Sequence, residues 1–211
     1  MINFNSIALN EKKANSRQSV KQVIINYTQD NKQSFKAYKS SVFALKMNGA
    51  QMLVSNKKRL VQASKELPEL IKALHNYLKQ RYGANIELYR GLNFKNVNKG
   101  TMSGKLFSFA QQNKGIELSS FNKQSVFEWT DDKRVAEEFM LGSYNEHGDR
   151  IDQPYGIMLS SQIPVSLILY AYDPIGLILR EDIDVQSNEH GYFVLHKSNV
   201  KAKAIKLKTR K

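Results

Sequence analysis

The apolar periodicity of the chain changes once, at Gly83. Before it, apolar residues recur at intervals of three and four, the spacing of a helix face. After it, short runs rich in β-branched and aromatic residues are separated by turn residues. Helices first and mostly strands afterwards is the order of an α+β fold rather than of alternating α/β units. The expected division is a helical region over residues 1–83 and a strand-rich core over 84–211, folded as one compact domain.

In the first region Asn15 or Ser16 is placed to cap a helix with Val20, Val23, Ile24 and Tyr27 on one face. A second helix carries Phe35, Tyr38, Val42 and Leu45, with Gly49 as its stop. A third runs from near Leu67 to Tyr82 on the stripe Leu67, Leu70, Ile71, Leu74 and Leu78. Pro68 suits its first turn and Gly83 its C-terminal cap. Lys57, Lys58 and Arg59 open a basic segment before it, read as a solvated face. Past Gly83, strands are expected at 86–89, 116–118, 156–159, 166–172, 177–179, 192–195 and 202–207, with turns at Asp173-Pro174 and His190-Gly191. One helix interrupts them. Thr130, Asp131 or Asp132 caps it, and Val135, Ala136, Phe139 and Met140 form its apolar face. Residues 142–153 are polar and read as a surface loop.

Charge is the compositional outlier: the 211 residues carry a formal +13. Such a chain attracts nucleic acid, acidic proteins or anionic surfaces. Much of the charge lies in the N-terminal third and in the tail Lys201 to Lys211. The absence of cysteine excludes disulfides, a thiolate nucleophile and cysteine metal sites, and fits a reducing compartment. No apolar run approaches the ~18 residues of a membrane span, and residues 1–16 lack the apolar core of a signal peptide. The expectation is a soluble, cytoplasmic protein that does not engage a membrane. The four histidines, His75, His147, His190 and His196, show no metal spacing. Phosphate-binding glycine loops and the G-x-S-x-G elbow are absent, which leaves arginine, hydroxyl, aromatic and carboxylate chemistry.

Three stretches hold those residue types. In Ile86-Glu87-Leu88-Tyr89-Arg90-Gly91, strand alternation places Arg90 on the face of Ile86 and Leu88. A guanidinium on an apolar face needs a partner, and its planar fork suits phosphate or carboxylate. Gly91 allows a sharp turn or the close approach of a ligand. The plain alternative is a strand-end arginine paired with a nearby acid. The second stretch is Ser125-Val126-Phe127-Glu128-Trp129-Thr130, followed by Asp132, Ala136 and Phe139. The third is the acidic loop Arg180 to Glu189, leading into Tyr192-Phe193-Val194-Leu195. Trp129 as a core anchor and Thr130 as a helix cap are the plain readings of those residues.

In order and spacing the three stretches resemble the mono-ADP-ribosyltransferases of the arginine-serine-glutamate group. The chain is also similar to the small Mod-type transferases of T-even bacteriophages in size, basic charge and N-terminal helices. The resemblance covers residues 86–207. It implies N-terminal helices followed by a mostly antiparallel two-sheet core. It further implies NAD as substrate, no metal, and a macromolecular acceptor: an acidic or RNA-associated protein, or RNA. Arg90 would grip the pyrophosphate beside Gly91. Ser125 or Thr130 would support the ribose, and Tyr89, Phe127 or Trp129 would wall the nicotinamide. Glu189 would be the catalytic carboxylate, with Glu181 and Asp184 as further candidates in the same loop. The family's E-x-E is not present: Ser187 stands two before Glu189, and Gly191 two after it. The rivals are a basic nucleic-acid-binding protein without catalysis and an NAD glycohydrolase toxin.

Overall fold

The computed structural model describes residues 4–30, 32–47, 54–117, 126–144, 150–179, 191–196 and 200–209. It mixes helix and antiparallel strand pairs. Contacts group the chain into two units: Met1–Asn85 with Pro164–Asn188 and Tyr192–Val194, and Ile86–Ile163 with Glu189–Gly191 and Leu195–Lys211. The break near Asn85 falls where the periodicity changes. The segment from Pro164 groups with the helices, away from the strand-rich region to which its sequence position assigned it.

The first unit is built on four helices: α1 (Phe4–Asp30), α2 (Lys32–Met47), α3 (Val54–Glu66) and α4 (Pro68–Tyr82). Helix α4 follows its sequence signals. Pro68 opens it, Gly83 closes it at φ 85°, and Leu70, Leu74, Tyr77 and Leu78 are buried. Phe35, Tyr38, Val42 and Leu45 of α2 are buried as expected, whereas the expected stop at Gly49 lies outside the described residues. One correction applies here: helix α1 begins at Phe4, so Asn15 and Ser16 lie inside it rather than capping it. Lys57, Lys58 and Arg59 belong to α3, which buries Leu60 and Ala63, and Lys58 and Arg59 are exposed, in keeping with a solvated face.

The same unit holds a short 3-10 turn Val165–Leu167, strand β7 (Ile168–Ala171), a tight turn over Tyr172–Gly176 and helix α7 (Leu177–Leu179). The expected strand at 177–179 is instead a single helical turn that continues from the segment Tyr172–Gly176. Strand β7 pairs antiparallel with β8 (Gly191–Leu195). The helices are tied to β7 by polar contacts as well as burial. The Tyr38 hydroxyl donates to Leu169 O at 2.8 Å, and His75 Nε2 lies 2.9 Å from Ile168 O.

In the second unit the strands run in the order β2 (Ile116–Glu117), β9 (Lys201–Lys208), β6 (Tyr155–Pro164), β1 (Asn85–Phe94) and β3 (Val126–Thr130). Two helices accompany them, α5 (Met102–Gln111) and α6 (Lys133–Leu141). Helix α5 is an addition to the expected elements; Thr101 caps it, accepting from Gly104 N. The stretch expected as one polar loop contains a strand pair, β4 (Gly142–Tyr144) with β5 (Arg150–Asp152). The basic tail is likewise a strand. β9 pairs with β2 and β6, and Lys206 bonds Glu137 of α6.

Candidate functional site

Strand β1 does not end at Arg90 but continues through Gly91 to Phe94, correcting the expected strand end and turn. Its alternation divides the candidate residues between two faces. Ile86 and Leu88 are 3% and 0% exposed, and Arg90 follows on their side. Tyr89 and Gly91 face the other way, toward α6. Tyr89 packs against Ala136, Met140 and Met158, and burial together with the charge of Glu87 raises its phenol pKa. A Cβ on Gly91 would overlap the backbone of Ala136 and Met140. The glycine is therefore required by the close approach of α6, which fills the space where a ligand was expected.

Tyr89 sits opposite Thr130 in the β1–β3 register, so Thr130 shares that α6 face. Thr130 is 7% exposed, and its hydroxyl accepts from Asp132 N at 3.0 Å. The cap of α6 is Asp132, whose carboxylate accepts from Arg134 N at 2.8 Å. The Arg134 side chain and backbone hold that carboxyl below its ordinary range. Of the three capping alternatives, the structure selects Asp132.

The opposite face carries a different cluster. Arg90 donates from Nη1 to the carbonyl oxygen of Glu128 at 2.6 Å. Its guanidinium lies 4.7 Å from the centroid of the Phe127 ring, a cation–π contact. Phe127 stacks on His196 at 4.3 Å and 23°. Trp129, 1% exposed, donates its indole N–H to His196 Nε2 at 3.0 Å. An Nε2 that accepts fixes the neutral imidazole with its proton on Nδ1. Trp129 and His196 thus form a buried base on which Phe127 rests, and Phe127 carries Arg90. Trp129 fills the core role named as its plain reading.

Arg90 is unusual in its electrostatics. The residue keeps partial exposure overall, yet its Nε is shut off from water and has no hydrogen-bond partner among the described residues. Burial drives the guanidinium pKa down to about 10, against a smaller upward pull from Glu128. It remains a cation at neutral pH.

Ser125 and the loop containing Glu189, Glu181, Asp184 and Ser187 lie outside the described residues. Among the sequence candidates, the structure brings Arg90, Phe127 and Trp129 to one face and Tyr89, Gly91 and Thr130 to the other. Sequence reasoning missed His196. A polar residue directly after the apolar run Tyr192–Leu195 was the available signal. Among the described residues, no cluster of histidine, aspartate or glutamate could hold a metal, and no helix is long and apolar enough to cross a membrane. Comparison with known proteins finds no matching family model, no matching curated protein and no matching solved structure.

Proposed function

We propose that this chain is a mono-ADP-ribosyltransferase that moves ADP-ribose from NAD to a macromolecular acceptor and releases nicotinamide. The observation that supports this most is Arg90: a guanidinium at strand β1, held by one carbonyl and one ring, with a buried Nε that has no partner among the described residues. A pyrophosphate offers anionic oxygens to which such a fork donates two bonds. In the reaction the bond from the ribose anomeric carbon to the nicotinamide nitrogen breaks, and its electron pair leaves with nicotinamide. An acceptor nucleophile forms the new bond to that carbon and gives its proton to solvent. The ribose passes through an oxocarbenium-like state, as in glycoside hydrolysis, so a carboxylate nearby lowers the barrier.

In this reading Glu189 is the carboxylate, with Glu181 and Asp184 as the alternatives, and Ser125 supports the ribose. The α6 face of Tyr89, Gly91 and Thr130 holds the strand in position, and Phe127 holds the Arg90 guanidinium. The acceptor is an acidic or RNA-associated protein, or RNA, and the setting is the cytoplasm. The test is nicotinamide release and label transfer from NAD in the presence of a cell extract. Glu189→Gln should reduce both by about 100- to 1000-fold while NAD affinity changes little. If the wild-type chain releases no nicotinamide and calorimetry shows no NAD binding, the proposal fails. If Glu181→Gln or Asp184→Asn is inactive while Glu189→Gln is not, the carboxylate moves and the reaction class stands.

A further inference from the structure

We infer that the first unit carries a separate nucleic-acid-binding groove between the end of α3 and the outer face of α4, lined by Lys65, Lys72 and Lys79. The groove encloses about 420 Å³ and is open to solvent. Lys72 and Lys79 stand seven apart on α4, two helical turns, and Lys65 lies in the last turn of α3 across the break at Leu67. On α4 that places Lys72 and Lys79 about 10 Å apart along the axis. A single phosphate cannot reach across that length, whereas a sugar-phosphate strand runs along it. All three lysines are exposed.

The makeup of the walls is equally informative. Among the described residues, no carboxylate lines the groove. The nearby Glu66 is turned to Ser34 and Gln62, accepting from them at 2.7 and 2.9 Å. The apolar part of the lining is only Pro68 and Ile71. Protein interfaces concentrate their affinity in aromatic and arginine anchors, which this groove lacks. The same lack removes a stacking platform for bases. Lysines without anchors read a phosphate backbone irrespective of sequence. Asn76 adds an amide able to donate to phosphate or sugar oxygen. His75 closes the inner wall. Burial lowers its imidazole pKa, so near neutrality it adds no positive charge, and the lysines supply the attraction. The net charge of +13 provides the long-range field that brings a polyanion in. The inference stands independently of the NAD reading.

The test is fluorescence anisotropy of the full chain with a fluorescein-labelled, mixed-sequence 12-nucleotide RNA. Lys65→Gln/Lys72→Gln/Lys79→Gln should weaken binding at least tenfold. It should also reduce the slope of log affinity against log salt by about 2, at roughly 0.7 for each phosphate left without its lysine. Lys105→Gln/Lys114→Gln/Lys203→Gln removes the same charge elsewhere and should stay within about twofold, with circular dichroism confirming both folds. If the two triple variants weaken binding equally, the attraction belongs to the whole surface and the groove is refuted. Displacement of the RNA by poly-glutamate at matched charge concentration would overturn the nucleic-acid assignment in favour of an acidic protein. Should the groove triple fail to fold, Lys72→Glu alone must still cost several-fold, and unchanged binding there overturns the inference.

Discussion

Two arginine–glycine pairs stand close together in the chain, Arg81 with Gly83 at the end of the first unit and Arg90 with Gly91 in the second. They solve opposite problems. Arg81 bonds the Asp173 carboxylate, donates to the Tyr77 hydroxyl at 3.1 Å and lies 5.2 Å from the Tyr82 ring. Asp173 also accepts from Arg17 at 2.8 Å. Burial opposes the Arg81 charge, but Tyr77, Tyr82 and Asp173 outweigh it and leave its pKa raised. Arg90 bonds a carbonyl and packs on a ring, and burial outweighs the pull of the Glu128 charge and brings its pKa down to about 10. At Arg81 the partners outweigh burial, and at Arg90 burial outweighs the Glu128 charge. Its depressed pKa means that the charge opposes folding below about pH 10, and the opposition is lifted only as pH rises toward the ordinary arginine value.

The glycines divide in the same way, and they give the largest expected effect. Gly83 sits at φ 85° with nothing within 4 Å of a built Cβ, so its constraint is conformational. At ψ −156° this backbone is nearly restricted to glycine. Gly83→Ala should cost about 2 kcal/mol of stability. At Gly91 the obstacle is the α6 backbone itself, which no side-chain rotation relieves. Gly91→Ala should cost on the order of 4 kcal/mol, in the range reserved for forced backbone displacement. Urea unfolding of both variants ranks them. Equal costs would mean that α6 is free to move away from β1, and that the second unit holds Arg90 less firmly than its contacts imply.

The arginines give the next effect, with the readouts crossed. Arg90→Lys should lower NAD affinity at least tenfold, about 1.4 kcal/mol, because a point charge cannot replace a planar fork. Its melting temperature should change little. Arg81→Lys should do the reverse, lowering stability by about 1 kcal/mol through its bonds to Asp173 and Tyr77. NAD affinity should stay unchanged. Titration calorimetry and thermal melts on the same preparations decide it. If both substitutions affect stability alone, Arg90 is a second structural arginine and it does not grip a pyrophosphate.

What the sequence discloses depends on whether the signal is local. Both ends of α4 are written in residues that act on their own backbone, Pro68 and Gly83, and both are legible without the structure. Helix α3 is hidden because its buried stripe is sparse, with Leu60 and Ala63 among lysines. The strand pair at 142–152 reads as loop because its residues are polar and its strands are only three residues long. The run 177–179 is too short for periodicity to separate strand from helix. At the candidate site, alternation alone places Arg90 with Ile86 and Leu88. Its meeting with Phe127 and the Glu128 carbonyl depends on how β1 and β3 align, and His196 arrives from a segment much later in the chain. Those contacts are set by tertiary packing, which single-strand patterning does not contain. The loop bearing Glu189 lies outside the described residues, so the carboxylate assignment still rests on resemblance.

The smallest expected effect uses pH to separate the two units. His75 belongs to the first, beside β7, with Nε2 at 2.9 Å from Ile168 O. Against a carbonyl, that nitrogen must carry the proton and donate. Burial lowers the His75 pKa most, the carbonyl raises it somewhat, and the nearby Lys79 lowers it again. Because the folded pKa lies below the unfolded one, the unfolded chain binds more protons in the interval between them. Stability therefore rises with pH across that interval, is fully present above the ordinary histidine value near 6.5, and is lost as pH falls through the folded value. His75→Gln keeps a neutral donor for Ile168 O and removes the titration. Melting temperature should fall less between pH 7 and pH 5 in this variant than in the wild type, while the two agree at pH 8. The Arg90 cluster is the control, since its guanidinium does not titrate in that range. NAD affinity at pH 7 should therefore be the same with and without His75. If His75→Gln leaves the acid slope unchanged, the imidazole is solvated well enough to charge without cost, and the packing of α4 on β7 is looser than its 2.9 Å bond implies.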